Sequence, residues 1–200
     1  METPIKTVNF QKAHEDGRAC KSLLDVGWDA NFYVYVCYGK AGGTKAAKDY
    51  NEWLIDCCRE EMVGDEGCPH IIMADFNATP CTLNSVKEMI EDELWEDIGH
   101  VAHWWGGTPD QPTCKTRAGA KATRIDGILA NMWATPYISG FKVTKDEHIP
   151  THSVLELTLQ SKEEQEEQHD VRTLPSLQKL SDEEMREKRR EWSRRSRLRL

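Results

Sequence analysis

HIIMADFNATP, residues 70–80, is the stretch whose reading decides the fold. Three apolar residues, Ile71, Ile72 and Met73, run into an acid, an aromatic, an amide and a Thr-Pro turn. Consecutive apolar positions predict a strand buried on both faces. Side chains alternate along a strand, so Asp75 and Asn77 would share one face, with Phe76 on the other. A carboxylate and an amide side by side at a strand end can hold a hard cation or a water. They also suit the start of a turn, which Asp and Asn initiate readily.

Upstream, NFYVYVCYG at 31–39 is rich in aromatic and β-branched residues and stops at a glycine, which predicts a second strand. Between the two, Ala46, Ala47, Tyr50, Trp53, Leu54, Cys57, Cys58 and Met62 recur at helical spacing, with Thr44 placed to cap the helix. Downstream, Leu83, Val86, Met89, Ile90 and Leu94 mark another amphipathic helix. A loop-rich region covers 99–122, and strands are predicted at 123–131, 137–143 and 152–160. The last alternates, with Ser153, Leu155, Leu157 and Leu159 on one face. Strand, helix, strand, helix and then several strands predict a layered α/β or α+β domain. Residues 1–30 show no convincing period.

The chain has 200 residues, enough for one ordinary domain, and a formal charge of −8. The charge is uneven: 1–160 carries 15 basic and 24 acidic residues, whereas 185–200 carries eight basic and two acidic. An acidic body argues against a broad nucleic-acid surface, because affinity for the backbone comes mostly from Lys and Arg. The end, KRREWSRRSRLRL, could supply some of that affinity or serve as a nuclear-localisation signal; most such ends are only solvated. Residues 161–200 are charged, open a capping-box pattern at Ser181 and Glu184, and are expected outside the core. Seven cysteines, no CxxC, no secretory h-region and no run of 18 apolar residues predict an intracellular chain with reduced thiols and no membrane span.

Polar clusters fall at the strand ends: Tyr38; Asp75 with Asn77; Arg124 with Asp126; and His152. ADFNATP after a buried strand, TRIDGIL in a later one and PTHSVLEL opening the last resemble the endonuclease/exonuclease/phosphatase superfamily, whose fold is DNase-I-like. Its corresponding segments have the forms G-D-x-N, S-R-I-D-Y and S-D-H-x-P-V. The tyrosine of VCYGKAG resembles the strand-end tyrosine before the family's long helix. The resemblance spans about residues 32–159 and rests on the order and spacing of short motifs.

It implies a two-sheet sandwich with outer helices and a divalent-metal-dependent phosphodiesterase or nuclease using Mg²⁺ or Mn²⁺ on a nucleic acid or another phosphoester. Asp75 would position or deprotonate the attacking water, and Asn77 would hold the phosphate or a metal-bound oxygen. His152 would press against the phosphate, with Asp126 fixing its tautomer. Tyr38 and Arg124 would bind phosphate, although Arg124 also suits pairing with a nearby acid.

Two departures bear on activity. The position before the final His is Thr151, where the family has Asp, and the strands bearing the family's Asn and Glu have no counterpart; Asn9 and Glu15 lie too close together. Asp75 is then the main metal carboxylate, in an incomplete site. The chain reads as a partial domain whose open sheet is covered by residues 1–30, by a partner or by nothing. Two functions follow: a hydrolase of weak or absent activity, or a non-catalytic remnant, such as one of a retroelement endonuclease, that binds nucleic acid. Three further features carry lesser readings. His100 and His103 with Cys114 lack a fourth zinc ligand. Trp104-Trp105 suits base stacking or loop packing equally. Cys57-Cys58 belongs in a core.

Overall fold

The computed structural model describes residues 3–25, 31–65, 67–117, 119–149 and 151–160. The readings made on 161–200, including the basic end, lie outside the described residues. The elements run α1 (Val8–Glu15), β1 (Ala19–Asp25), β2 (Asn31–Tyr38), α2 (Lys45–Glu61), β3 (His70–Asp75), α3 (Asn84–Glu91), β4 (Trp95–Asp97), β5 (Asp126–Asn131), β6 (Ile138–Lys145) and β7 (Ser153–Leu159). Five strands form one sheet in the order β1-β2-β3-β5-β4, and β6 and β7 form a two-stranded second sheet. β2 and β3 are parallel and joined through α2, while the other pairs are antiparallel. This is the expected mixed α/β class, with two sheets.

The pleat explains why residues 71–74 are apolar without a break. Ile72 and Ala74 face a core shared with Phe10 and Ala13 of α1, Leu54, Ile55 and Cys58 of α2, and Val86 and Met89 of α3. Ile71 and Met73 face the opposite way, into a core with Ile128 of β5, Phe141 of β6 and Leu155 and Leu157 of β7. The larger sheet thus lies between helices and a small sheet. By the same alternation, Asp75 falls on the small-sheet side.

The expected strand at 123–131 begins only at Asp126, because Thr123 pairs with Cys114 instead. β4 was not expected: three residues are too few to show a period. Residues 1–30, without a readable pattern, nonetheless supply α1 and β1. α1 buries only Phe10 and Ala13, and β1 buries Lys21 where an apolar residue would have revealed the alternation. Lys21 is tolerated there because its Nζ lies 2.9 Å from Glu61 Oε1. The Glu61 carboxylate also accepts the backbone N–H groups of Lys6 and Thr7, at 2.9–3.0 Å, which ties the start of α1 to the end of α2. β1 extends the edge of the sheet and does not cover its open face. Among the described residues, no helix is long and apolar enough to cross a membrane.

Candidate active site

Asp75 ends β3 and pairs across the sheet with Asp126, which begins β5. Like charges in opposed positions repel, so this pairing disfavours a purely structural role. His152, immediately before β7, reaches across from the small sheet. Its Nδ1 lies 3.1 and 3.0 Å from the two Asp126 carboxylate oxygens. That partnership places a proton on Nδ1 and leaves Nε2 as the basic nitrogen. The facing atom on that side is Cys114 Sγ, 3.8 Å from Nε2.

A short strap holds the two sheets in this relation. The Thr113 hydroxyl accepts the N–H groups of Ile125 and Asp126, its carbonyl accepts that of Ser153, and the Lys115 N–H donates to the Thr151 carbonyl. One segment thereby fixes both members of the His-Asp pair.

Asn77 departs from expectation. β3 ends at Asp75, and Asn77 adopts a left-handed backbone with φ of 48°, so the two do not share a strand face. The Asn77 N–H donates to Asp75 Oδ1 at 2.9 Å and its side-chain amide donates to the Gly39 carbonyl at 3.0 Å. The turn-starting reading of Asp75 and Asn77 is therefore realised, and Asp75 stands in the polar cluster as well. Gly39 has no room for a side chain: a Cβ there would lie 2.8 Å from the Phe76 carbonyl oxygen. The buried Asn51 closes this junction, accepting from the Lys40 N–H and donating to the Lys40 and Phe76 carbonyls. Asn51 and Thr113 are positioning residues that the sequence reading missed. Asn51 had a signal: a polar residue on the buried stripe Ala47, Leu54, Cys58 of α2.

Tyr38 pairs in register with Asp75 from the neighbouring strand and is exposed. The Arg18 guanidinium lies 5.0 Å from its ring centroid, so the cation near this rim is Arg18. The phosphate-binding role expected of Arg124 does not fit its geometry. Arg124 is only 7% exposed and is held by Asp97, at 2.8 and 2.5 Å, and by Asp110 at 3.1 Å. The expected pairing with a nearby acid is what forms. His100 pairs with Asp110 at 2.9 Å, while Cys114 sits by His152, so the discounted zinc reading of His100, His103 and Cys114 is not realised. Trp105 donates to the Ile138 carbonyl and packs in the second core, the loop-packing reading.

Burial pushes the Asp75 carboxyl above its ordinary range. Asn77's N–H opposes that, Asp126 adds to it, and His152 opposes it. Burial, with Asp126 and then Asp75 nearby, likewise pushes the Cys114 thiol up. Asp75, Asp126 and His152 each offer one ligand atom within 4.8 Å of the others, so this group can hold a metal ion. It does not fit Mg²⁺, which takes six oxygens and little nitrogen. Both Asp126 oxygens are turned to His152, one Asp75 oxygen is turned to Asn77, and Thr151 brings no carboxylate.

No family model and no curated protein matches the sequence. Solved structures match the fold. The Neisseria 3′ phosphatase NExo, solved with a product DNA hairpin, superposes with a TM-score of 0.55 at 16% identity, over 72% of this chain and 65% of that one. The endonuclease domain of TRAS1, a telomere-specific non-LTR retrotransposon, superposes at 0.52 and 12%, over 72% and 64%. A functionally unknown conserved protein of Enterococcus faecalis V583 superposes at 0.51 and 16%, over 71% and 56%. The chain thus spans 56 to 65% of the length of these structures. The fold is DNase-I-like, the fold of the endonuclease/exonuclease/phosphatase proteins that the motifs resemble.

Proposed function

We propose that this chain, DNase-I-like in fold, belongs to the endonuclease/exonuclease/phosphatase superfamily and hydrolyses phosphate esters of nuclease type. The observation that carries the reading is the His152–Asp126 pair standing beside Asp75 at the ends of adjoining strands. Asp126 keeps the proton of His152 on Nδ1, and Nε2, which faces Cys114 Sγ, would exchange a proton at the phosphate. Asp75, when ionised, orients the attacking water and accepts its proton. Tyr38 and Arg18 would meet the phosphate at the rim. Dependence on a divalent ion is part of the proposal, with Asp75 as the chief carboxylate; no step here runs through the ion, because the donors do not suit Mg²⁺.

The test is cleavage of plasmid DNA and of a chromogenic phosphodiester by the full chain with Mg²⁺, Mn²⁺ or EDTA. Cleavage suppressed by EDTA and lowered about 10²- to 10⁴-fold in His152→Ala is the expected result. No cleavage by folded protein sinks the reading.

A second reading rests on Thr151 and the incomplete carboxylate set: a non-catalytic remnant, of the kind a retroelement endonuclease would leave, that binds nucleic acid. Salt-dependent binding without turnover would favour it.

A further inference from the structure

The larger sheet is five strands wide and the smaller only two. The loop after β4 reaches β6, where Trp105 donates to the Ile138 carbonyl and Gln111 to that of Val143. β6 therefore lies toward the β4 edge of the sandwich and β7 toward β2, so the small sheet stops partway across the large one. Beyond that step the start of β2 is covered at Phe32, but Cys20, Ser22 and Leu24 of β1 and Val36 of β2 are exposed on the small-sheet side. On β7 itself, Leu155, Leu157 and Leu159 are only half-buried. Two strand edges flank the step: among the described residues β7 pairs only with β6, and β1 only with β2. Nothing guards the β1 edge against pairing, because Cys20, Ser22 and Leu24 are uncharged and Lys21 is turned inward to Glu61.

A second copy has the shape that fills this step. A two-fold axis running along the strands, midway between the layers, sets β1 and β2 of one copy face to face with β1 and β2 of the other at ordinary sheet spacing. The same rotation brings the partner's β1 beside β7. The strand senses agree. β7 begins at His152 beside Asp126, the first residue of β5, and so runs with β5. β1 is antiparallel to β2, β2 parallel to β3 and β3 antiparallel to β5, so β1 runs with β5 too. β7 and the partner's β1 would meet as parallel neighbours, a permitted ladder. An axis perpendicular to the sheets would instead drive the two large sheets into one layer. The contact is self-complementary and closes at two copies.

We propose that this chain forms a two-fold dimer in which the open half-face over β1 and β2 packs on the same half-face of a second copy, and β7 of each copy is extended by β1 of the other. Two strands of seven residues present a face of about 10 by 23 Å; buried on both copies with the four edges, the area is on the order of 1,000 Å², the lower bound for a specific interface. Association is accordingly reversible, with Kd of about 1 to 100 μM, and the half-face is open in the dilute single chain. The dimer does not depend on the hydrolase reading.

The test is sedimentation equilibrium of the full chain, reduced, from about 1 to 500 μM. The mass should rise from one chain to two and stop there. Leu24→Lys and Val36→Lys should each weaken the dimer at least about tenfold, because the interface would bury an unpaired charge. Val63→Lys, at an exposed apolar position on the far end of α2, should leave it unchanged. Hydrogen exchange gives a readout without substitution: amides of 19–25 and 153–159 should gain protection as concentration rises. A single-chain mass throughout, growth past two copies, a dimer undiminished in folded Leu24→Lys and Val36→Lys, or exchange in β1 and β7 that ignores concentration overturns the proposal. Association through the basic end alone is one such result, lost in salt with no protection in either strand.

Discussion

At the scale of single residues, the candidate site is a His152–Asp126 pair with Asp75 beside it. His152 and Asp126 are geometrically complete, whereas position 151 is not: Thr151 is exposed, its carbonyl accepts the Lys115 N–H, and its hydroxyl cannot replace a carboxylate. Thr151→Asp should add an oxygen ligand next to His152 without disturbing a buried contact. If that position limits the site, Mg²⁺-dependent phosphodiester cleavage should rise at least about tenfold, the effect of roughly 1.4 kcal/mol on the barrier. An unchanged rate in a folded variant would place the defect elsewhere. Asp75, Asp126 and His152 were legible in the sequence because each is polar at the end of an apolar run. For Arg124 an acid partner was legible as an alternative to phosphate, but not which acid. Its partners, Asp97 and Asp110, come from β4 and from a loop, and no local pattern announces a pairing across 27 positions. The partner of Cys114 was not legible for the same reason: His100 and His103 are nearer in sequence, and the fold sets it beside His152.

At the scale of elements, β3 and α2 could be read because their burial obeys the strand and helix periods, and α1 and β1 could not because a polar network takes the place of that pattern. Lys21, buried in β1, faces Glu61 at the end of α2. Burial alone would push the Glu61 carboxyl up; Lys21 and the Lys6 and Thr7 N–H groups more than offset it, and its pKa lies below the ordinary carboxylate value. The sign follows from proton counts. The unfolded chain takes up the Glu61 proton first as pH falls, so the stability this group contributes is full above the unfolded value of about 4.3. It is lost as pH falls through the lower folded value. Glu61→Gln leaves the Lys21 ammonium buried without its counterion, which should cost about 3 to 5 kcal/mol in urea unfolding at neutral pH. The variant should also lose part of the acid-induced decline seen in wild type. A cost under about 1 kcal/mol would mean that Lys21 finds water, and that the network does not hold α1 and β1 to the sheet.

At the scale of the molecule, the sandwich has unequal halves. β6 and β7 cover the face of the larger sheet over β3 and β5, where Ile71 and Ile128 are buried. On the same face the start of β2 is also covered, with Phe32 buried, but Leu24 of β1 and Val36 and Tyr38 of β2 remain 43%, 47% and 52% exposed. The alternation that buries Tyr35 and Cys37 under α2 turns Val36 outward, so this exposure follows from the pleat and from the width of the second sheet. The sequence could report that strands were apolar on both faces, but not that, among the described residues, only part of one face is met by a partner layer. Width is a property of strand pairing and not of any strand. If the face is open in the isolated chain, Val36→Lys removes little buried apolar area and sets a charge in water. Stability in urea should then change by no more than about 0.5 kcal/mol. Self-association, followed by light scattering at rising protein concentration, should fall, because a charge on an exposed apolar strand face opposes stacking. Ile71→Lys, on the covered half, should unfold the chain, since a lone charge in an apolar core is far costlier than the few kcal/mol that hold a domain together. A loss of 2 kcal/mol or more from Val36→Lys would show the opposite: that the outer half of the face is covered in solution, and that the layer over β1 and β2 is part of the folded state.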